Sequence, residues 1–208
     1  MTFPHMIDPR DELIAAASYF YSQRWMVGTA GNLSARLPDG SFWITASGKS
    51  KGQLSWDDFV QIYPDGKLES ANTDLKPSAE TAIHQLIYRL FPKSQACYHV
   101  HSIEANLVSN FVTNEVVLLP PLEMLKGLGV WEENPICEMP IFRNHLEVSR
   151  IADDIQARFE LNPPKIPALL IRNHGVTVWA NSLEMARNYI ELVEYIFCYM
   201  VNTRRIGI

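Results

Sequence analysis

Two copies of the tripeptide Pro-Asp-Gly, at 38–40 and 64–66, each lie between short strand-patterned runs, and they constrain this 208-residue chain more than any other local feature. Such turns reverse the chain between neighbouring antiparallel strands, so residues 33–37 are predicted to pair with 42–45, and 59–63 with a run from Lys67 onward. Hairpins exclude an all-helical fold and an all-parallel sheet. Helical patterns nevertheless alternate with the strands. Asp8-Pro9 reads as an N-cap with proline at the first helical position, followed by an apolar stripe of Leu13, Ile14, Ala17, Phe20 and Tyr21 that ends before Gly28. Pro77-Ser78 opens a second helix through Ile83, Leu86, Ile87 and Leu90, which Pro92 stops. Asn144 and Glu147 form a capping-box pattern for a helix to about Phe159, and Ser182 begins a long final helix through Ala186, Ile190, Val193 and Phe197. Strands are expected at 96–101, 116–119, 168–171 and 176–179, with Ser102 capping a short helix. This interleaving predicts one α/β domain over residues 1–208, with a mixed, largely antiparallel sheet.

Composition removes several function classes. Net charge is −5 and the 18 basic residues are scattered, so the electrostatic footprint of a nucleic-acid binder is missing. The most apolar stretch, 195–201, falls far short of the ~20 residues that span a bilayer, so no membrane partner is expected. Residues 1–8 have neither a basic nor an apolar leader region, which leads to the expectation of a cytoplasmic protein. Three cysteines, Cys97, Cys137 and Cys198, include no C-x-x-C pair, so a disulfide framework is not expected and histidines must carry any metal.

The sharpest chemical pattern is His99-Val100-His101. On a strand the side-chain period is two, so both imidazoles leave the same face and can reach one ion. Two hydrogen-bonded histidines on a half-buried face are the plainer alternative. Cys97 shares that face and reads either as a further ligand or as a small buried hydrophobe. His174, between two apolar strand runs and before Gly175, is the better third ligand, and three neutral imidazoles leave a tetrahedral position open, as in a catalytic zinc site. Gly28-Thr-Ala-Gly-Asn32 and the segment 45–52 present backbone N–H groups, hydroxyls and lysines of the kind that hold a phosphate, and Ser78 at a helix start adds further donors. Two carboxylates suit acid/base work. Glu80 stands on the first turn of its helix, and Glu123 among apolar neighbours that would raise its pKa; each also reads as an ordinary helix-start acid. His145 has no matching partner and is read as structural.

Taken in order, Gly28-Thr-Ala-Gly-Asn32, Ile44-Thr-Ala-Ser-Gly48, Lys76-Pro-Ser-Ala-Glu80, His99-Val-His101 and Asn173-His-Gly175 resemble the class II (zinc-dependent) aldolase/adducin family, over nearly the whole chain. Leu122-Glu-Met-Leu-Lys-Gly127 and the run 170–179 are most similar to its dehydratase branch, which serves methionine salvage. The resemblance implies an α/β/α layered domain, a homotetramer with metal sites near subunit interfaces, and one zinc per subunit held by His99, His101 and His174. It also implies a small sugar-phosphate substrate, with the phosphate near Asn32, Ser47, Gly48 and Ser78. In the dehydratase branch the acid/base falls on Glu123, and in the aldolase branch on Glu80. A sugar-phosphate aldolase, a pentulose-phosphate epimerase and a non-catalytic adducin-like domain are the alternatives.

Overall fold

A computed structural model describes residues 8–70 and 74–207; the expectation for the extreme N-terminus lies outside the described residues except at Asp8. The first helix, α1 (Pro9–Ser22), starts where the Asp8 cap places it, with the Asp8 carboxylate accepting from the Arg10 N–H at 2.9 Å. Both Pro-Asp-Gly turns close antiparallel pairs: β1 (Asn32–Arg36) with β2 (Phe42–Thr45), and β3 (Phe59–Ile62) with β4 (Leu68–Ser70). The chain continues through α2 (Thr81–Leu90), β5 (Ala96–Val100), α3 (Ile103–Ser109), β6 (Val116–Leu119), β7 (Cys137–Phe142), α4 (Val148–Leu161), β8 (Ala168–Ile171), β9 (Gly175–Ala180) and α5 (Leu183–Ile206). Among the described residues these strands form one sheet in the order β4-β3-β2-β1-β5-β9-β8-β7-β6. Every neighbouring pair is antiparallel except β7 and β8, so the sheet is mixed as expected.

Strand alternation divides the core into two layers. Leu33, Ala35, Tyr98, Val100, Val176 and Val178 point to one face, where Phe20 of α1, Val108 of α3 and Ile190 and Phe197 of α5 cover them. Ile44, Cys97, Leu169, Ile171 and Trp179 point to the other, against Ile83 and Ile87 of α2 and Ile155 and Phe159 of α4. The result is the α/β/α sandwich that the family resemblance implies. Cys97 belongs to this second layer; it is fully buried, and burial pushes its thiol well up.

Three local expectations change. Strand β7 has no counterpart among the expected strands, and its Pro140 is of a type that strand interiors disfavour. The structure accommodates it because the ladder to β8 begins only after the proline, with Ile141 opposite Leu170. The second helix starts at Thr81 rather than at Pro77-Ser78. An antiparallel bridge between Ala46 and Pro77 keeps the preceding segment extended, and the Ser78 carbonyl accepts from the Thr81 N–H at 3.1 Å in a turn. Glu80 thereby becomes the N-cap residue. Helix α4 begins at Val148, with no side-chain cap, so the capping box of Asn144 and Glu147 is not formed. No helix among the described residues is long and apolar enough to cross a membrane.

Candidate metal centre

The register of the central strands builds the site. In the β5–β9 ladder His99 stands opposite Thr177, and the His99 Nδ1 lies 2.8 Å from the Thr177 hydroxyl oxygen. With Nδ1 donating there, the lone pair on Nε2 is free and aimed away from the sheet, the arrangement in which a second partner orients a ligand imidazole. His101 follows the end of β5, where its backbone N–H donates to the Trp25 carbonyl at 2.7 Å. His174 sits at the tip joining β8 to β9, after Asn173 in the left-handed region (φ 53°), and its N–H donates to the Ile171 carbonyl at 3.1 Å. Gly175 permits the close approach of this tip to β5: a Cβ there would lie 2.1 Å from the Val100 carbonyl oxygen.

These elements bring Glu80, His99, His101 and His174 together, with one ligand atom from each within 4.8 Å of the others. The imidazole centroids are 4.5–4.9 Å apart and the rings nearly perpendicular. His99 Nε2 lies 2.8 Å from His101 Nε2 and 3.4 Å from Glu80 Oε2, and His174 Nε2 lies 2.9 Å from Glu80 Oε1. Glu80 Oε1 nonetheless makes no angularly acceptable hydrogen bond among the described residues, although it is buried. Lone pairs thus face lone pairs without enough protons between them, which is the donor set of a cation site. Three imidazole nitrogens and one carboxylate oxygen match zinc in type and number.

The charge states suit ligation. Burial pushes the His99 imidazole well below its usual range and His101 down to about 4, so both are neutral at physiological pH. Burial alone would raise the Glu80 carboxyl, but the imidazoles of His99 and His174 and the amide of Asn32 outweigh it and hold it well below the usual range. Outside the cluster, burial also lowers His84 to about 4. In metal-free protein the unfolded chain binds protons at His84 and His101 below about pH 6.5, whereas the folded chain refuses them until about 4. Stability is therefore full above the unfolded value and is lost as pH falls across this window, at about 1.4 kcal/mol per pH unit for each histidine. Urea midpoints of the metal-free protein are expected to fall between pH 7 and pH 5; a constant midpoint contradicts the burial of these neutral imidazoles.

The other residues singled out in the sequence have different fates. Asn32 is buried, with its amide nitrogen on Glu80 Oε2 and its Oδ1 2.6 Å from His84 Nε2, so its side chain is committed to the carboxylate rather than to an open phosphate cradle. Ser47 and Gly48 are exposed, and the Ala46–Pro77 bridge draws them beside half-buried Ser78, whose hydroxyl accepts from the Glu80 N–H at 3.3 Å. Glu123 opens a short 3-10 helix (Glu123–Leu128), where it is 80% exposed and ion-paired with Lys126 at 2.9 Å. The apolar surroundings expected for its carboxyl are absent. Cys97 is not part of the cluster. His145, expected to lack a partner, pairs with Asp154 at 2.9 Å.

Two contributors, Thr177 and His84, escaped the sequence reading. Thr177 needs only the His99 register to be found, and His84 stands one helical turn after Glu80 on the buried face of α2. Lys51, embedded in the Gly/Ser segment, is almost fully buried and binds the Thr29 and Lys49 carbonyls at 3.0 and 2.8 Å, lacing the two candidate phosphate loops together. Burial lowers its ammonium to about 8.

Comparison with known proteins places this geometry in context. The family model described as "Class II Aldolase and Adducin N-terminal domain" matches residues 11–201. A methylthioribulose-1-phosphate dehydratase of Microcystis aeruginosa is 62% identical over 197 residues, covering 94% of this chain and 96% of the relative. One from Leptospira biflexa is 43% identical, covering 94% and 97%. Among solved structures, the YgbL protein of Escherichia coli superposes with a TM-score of 0.79 at 28% identity, covering 93% of this chain and 88% of its own. The l-fuculose-1-phosphate aldolase of Thermus thermophilus gives 0.73 at 20% identity, covering 95% and 94%, and is similar in fold. The match runs from the first helix to the last and includes every element that carries the imidazoles, so the chain belongs to the class II aldolase and adducin N-terminal domain family.

Proposed function

We propose that this chain is a hydro-lyase of methionine salvage that converts 5-methylthioribulose 1-phosphate to 2,3-diketo-5-methylthiopentyl 1-phosphate. Residues 1–208 form one domain that works in the cytoplasm, in a homotetramer with one zinc per subunit. The convergence of Glu80, His99, His101 and His174, in a chain 62% identical to a dehydratase of that substrate, carries the reading. His99, His101 and His174 hold the metal, with Glu80 beside them. Zinc bound there supplies a Lewis acid that polarises a carbonyl oxygen. Ser47, Gly48 and Ser78, side by side through the Ala46–Pro77 bridge, seat the phosphate with the Gly48 N–H and the two serine hydroxyls, and Asn32 borders them.

Dehydration requires removal of a proton from the carbon beside the ketone and protonation of the hydroxyl leaving the next carbon. Glu123 takes the acid/base role. Exposed on its own subunit, it is free to face the site of a neighbour in a tetramer whose metal sites lie near interfaces. Ile103 and Leu107, left exposed one turn apart on α3 directly after His101, support an assembly that covers the rim of the site. The inclusion of Glu80 in the cluster favours a second reading, aldol cleavage or epimerisation of a sugar phosphate with Glu80 moving the proton.

Product analysis of the zinc-loaded protein with methylthioribulose 1-phosphate, beside a plain ketopentose phosphate, separates them. The diketone is expected from the first substrate, with Glu123→Gln slower by roughly 10²–10⁴-fold. An aldehyde with dihydroxyacetone phosphate, or a C4 epimer, favours the second reading. Full turnover by Glu123→Gln removes that residue from the mechanism, and protein with neither zinc affinity nor product revives a non-catalytic role.

A further inference from the structure

The polar network does not end at Glu80. Asn32 links its carboxylate to His84 at 2.6 Å, His84 Nδ1 lies 2.7 Å from the Ser34 hydroxyl, and that oxygen lies 2.7 Å from the Tyr88 hydroxyl. Asn32, Ser34, His84 and Tyr88 are all buried, at 5% exposure or less, so solvent does not compete for these bonds. The direction of every bond follows from the carboxylate end. An ionised carboxylate only accepts, so Asn32 presents its NH2 to Glu80 and its Oδ1 to His84. That Oδ1 also only accepts, so His84 Nε2 carries a proton. Burial keeps His84 neutral above about 4, so its Nδ1 is bare and accepts from Ser34. The single proton of Ser34 goes to this nitrogen at 2.7 Å in preference to the Cys97 carbonyl at 3.3 Å, and Tyr88 donates to Ser34.

We propose that His84 is a positioning residue for the metal centre: its Nε2–H, with Nδ1 met by the Ser34 hydroxyl, holds the Asn32 amide with NH2 toward Glu80 and so fixes the carboxylate among the three imidazoles. A flipped Asn32 would set its Oδ1 against Glu80 Oε2, acceptor against acceptor, and swing the carboxylate away from the ligand cluster. The inference rests on the metal reading for its effect on zinc, but the orientation of the chain is a property of the metal-free protein as well.

Nitrogen-15 NMR of histidine-labelled protein, with and without zinc, reads the tautomer directly. A protonated Nε2 and a bare Nδ1 on His84 at neutral pH are expected in both forms; a protonated Nδ1 overturns the proposal. His84→Leu removes the donor, and chelator competition is expected to show zinc affinity about 10–100-fold weaker, the usual effect of losing an outer partner of a metal site. In the same variant kcat should fall with little change in KM. His84→Gln, which returns a side-chain N–H to Asn32, should recover affinity to within a few-fold of the parent. Parental zinc affinity in His84→Leu, or a His84→Gln variant as impaired as His84→Leu, also overturns it. If His84→Leu does not fold by circular dichroism, the tautomer and the affinity of His84→Gln decide the matter. Absence of zinc binding by the parent protein, with the Nε2–H tautomer present, is a failure of the metal reading and not of the network.

Discussion

Replacing His99 with alanine is expected to abolish stoichiometric zinc and to lower turnover of the ketose phosphate by about three powers of ten or more. The magnitude follows from the several kcal/mol that carbonyl polarisation by a metal contributes to a barrier. His99 is the most constrained of the three imidazoles: it is fully buried, its Nδ1 is held by Thr177 at 2.8 Å, and its Nε2 faces both His101 and Glu80. Its loss leaves two imidazoles and removes the ring between Glu80 and the sheet. Elemental analysis of protein purified without chelators, beside chelator-competition titration, measures the effect. Parental zinc content in His99→Ala would place the metal elsewhere. Thr177→Val gives a graded companion, because it keeps the ligand and removes only its orienting partner; there the loss should be about 10–100-fold.

Gly175→Ala should be the most damaging single methyl group near the site. The added Cβ would lie 2.1 Å from the Val100 carbonyl oxygen and 3.1 Å from His99 Cε1, and the first of these is backbone at the site-facing end of the β5–β9 ladder. Backbone there moves only by breaking ladder bonds, so an overpacking cost of about 3 kcal/mol is expected, towards the upper end of such substitutions. For a chain of this size that corresponds to a fall in Tm of roughly 6–12 °C. Zinc affinity should weaken in step, because the same displacement moves His174 relative to His99. Thermal unfolding of metal-free and zinc-loaded protein measures both effects, and an unchanged Tm would mean that β9 can shift without cost. Gly31, whose Cβ would meet the His99 carbonyl oxygen at 2.8 Å, applies a similar restraint from the other side of β5.

Much of the local architecture was legible because its causes are local. The Asp8-Pro9 cap, the two Pro-Asp-Gly hairpins and the Ser102 and Ser182 caps act within a few residues, and each stands where its chemistry predicts. The His99-x-His101 pair followed from strand parity and His174 from its place before Gly175. The misreadings share a different cause. Ser78 has the chemistry of an N-cap, but the long-range bridge of Pro77 to Ala46 holds its segment extended and moves the helix start to Thr81. Pro140 counts against a strand until the partner β8 is known to pair only beyond it. Glu123 has apolar neighbours in sequence that do not surround it in space.

The sequence by itself determined the alternation of hairpins and helices, the α/β class with its mixed sheet, the three imidazoles that share a site and, through the order of its motifs, the family, which implies the α/β/α layering. Which carboxylate joins the imidazoles was decided only by tertiary structure. Glu80 and Glu123 are both plausible acids along the chain, and the choice depends on how α2 docks against β1, β5 and β9. The same holds for Thr177, His84 and Lys51, whose partners lie on other elements. Side-chain periodicity and capping are short-range effects that a sequence carries in itself, whereas ligand geometry depends on register between distant strands, which only the assembled core sets.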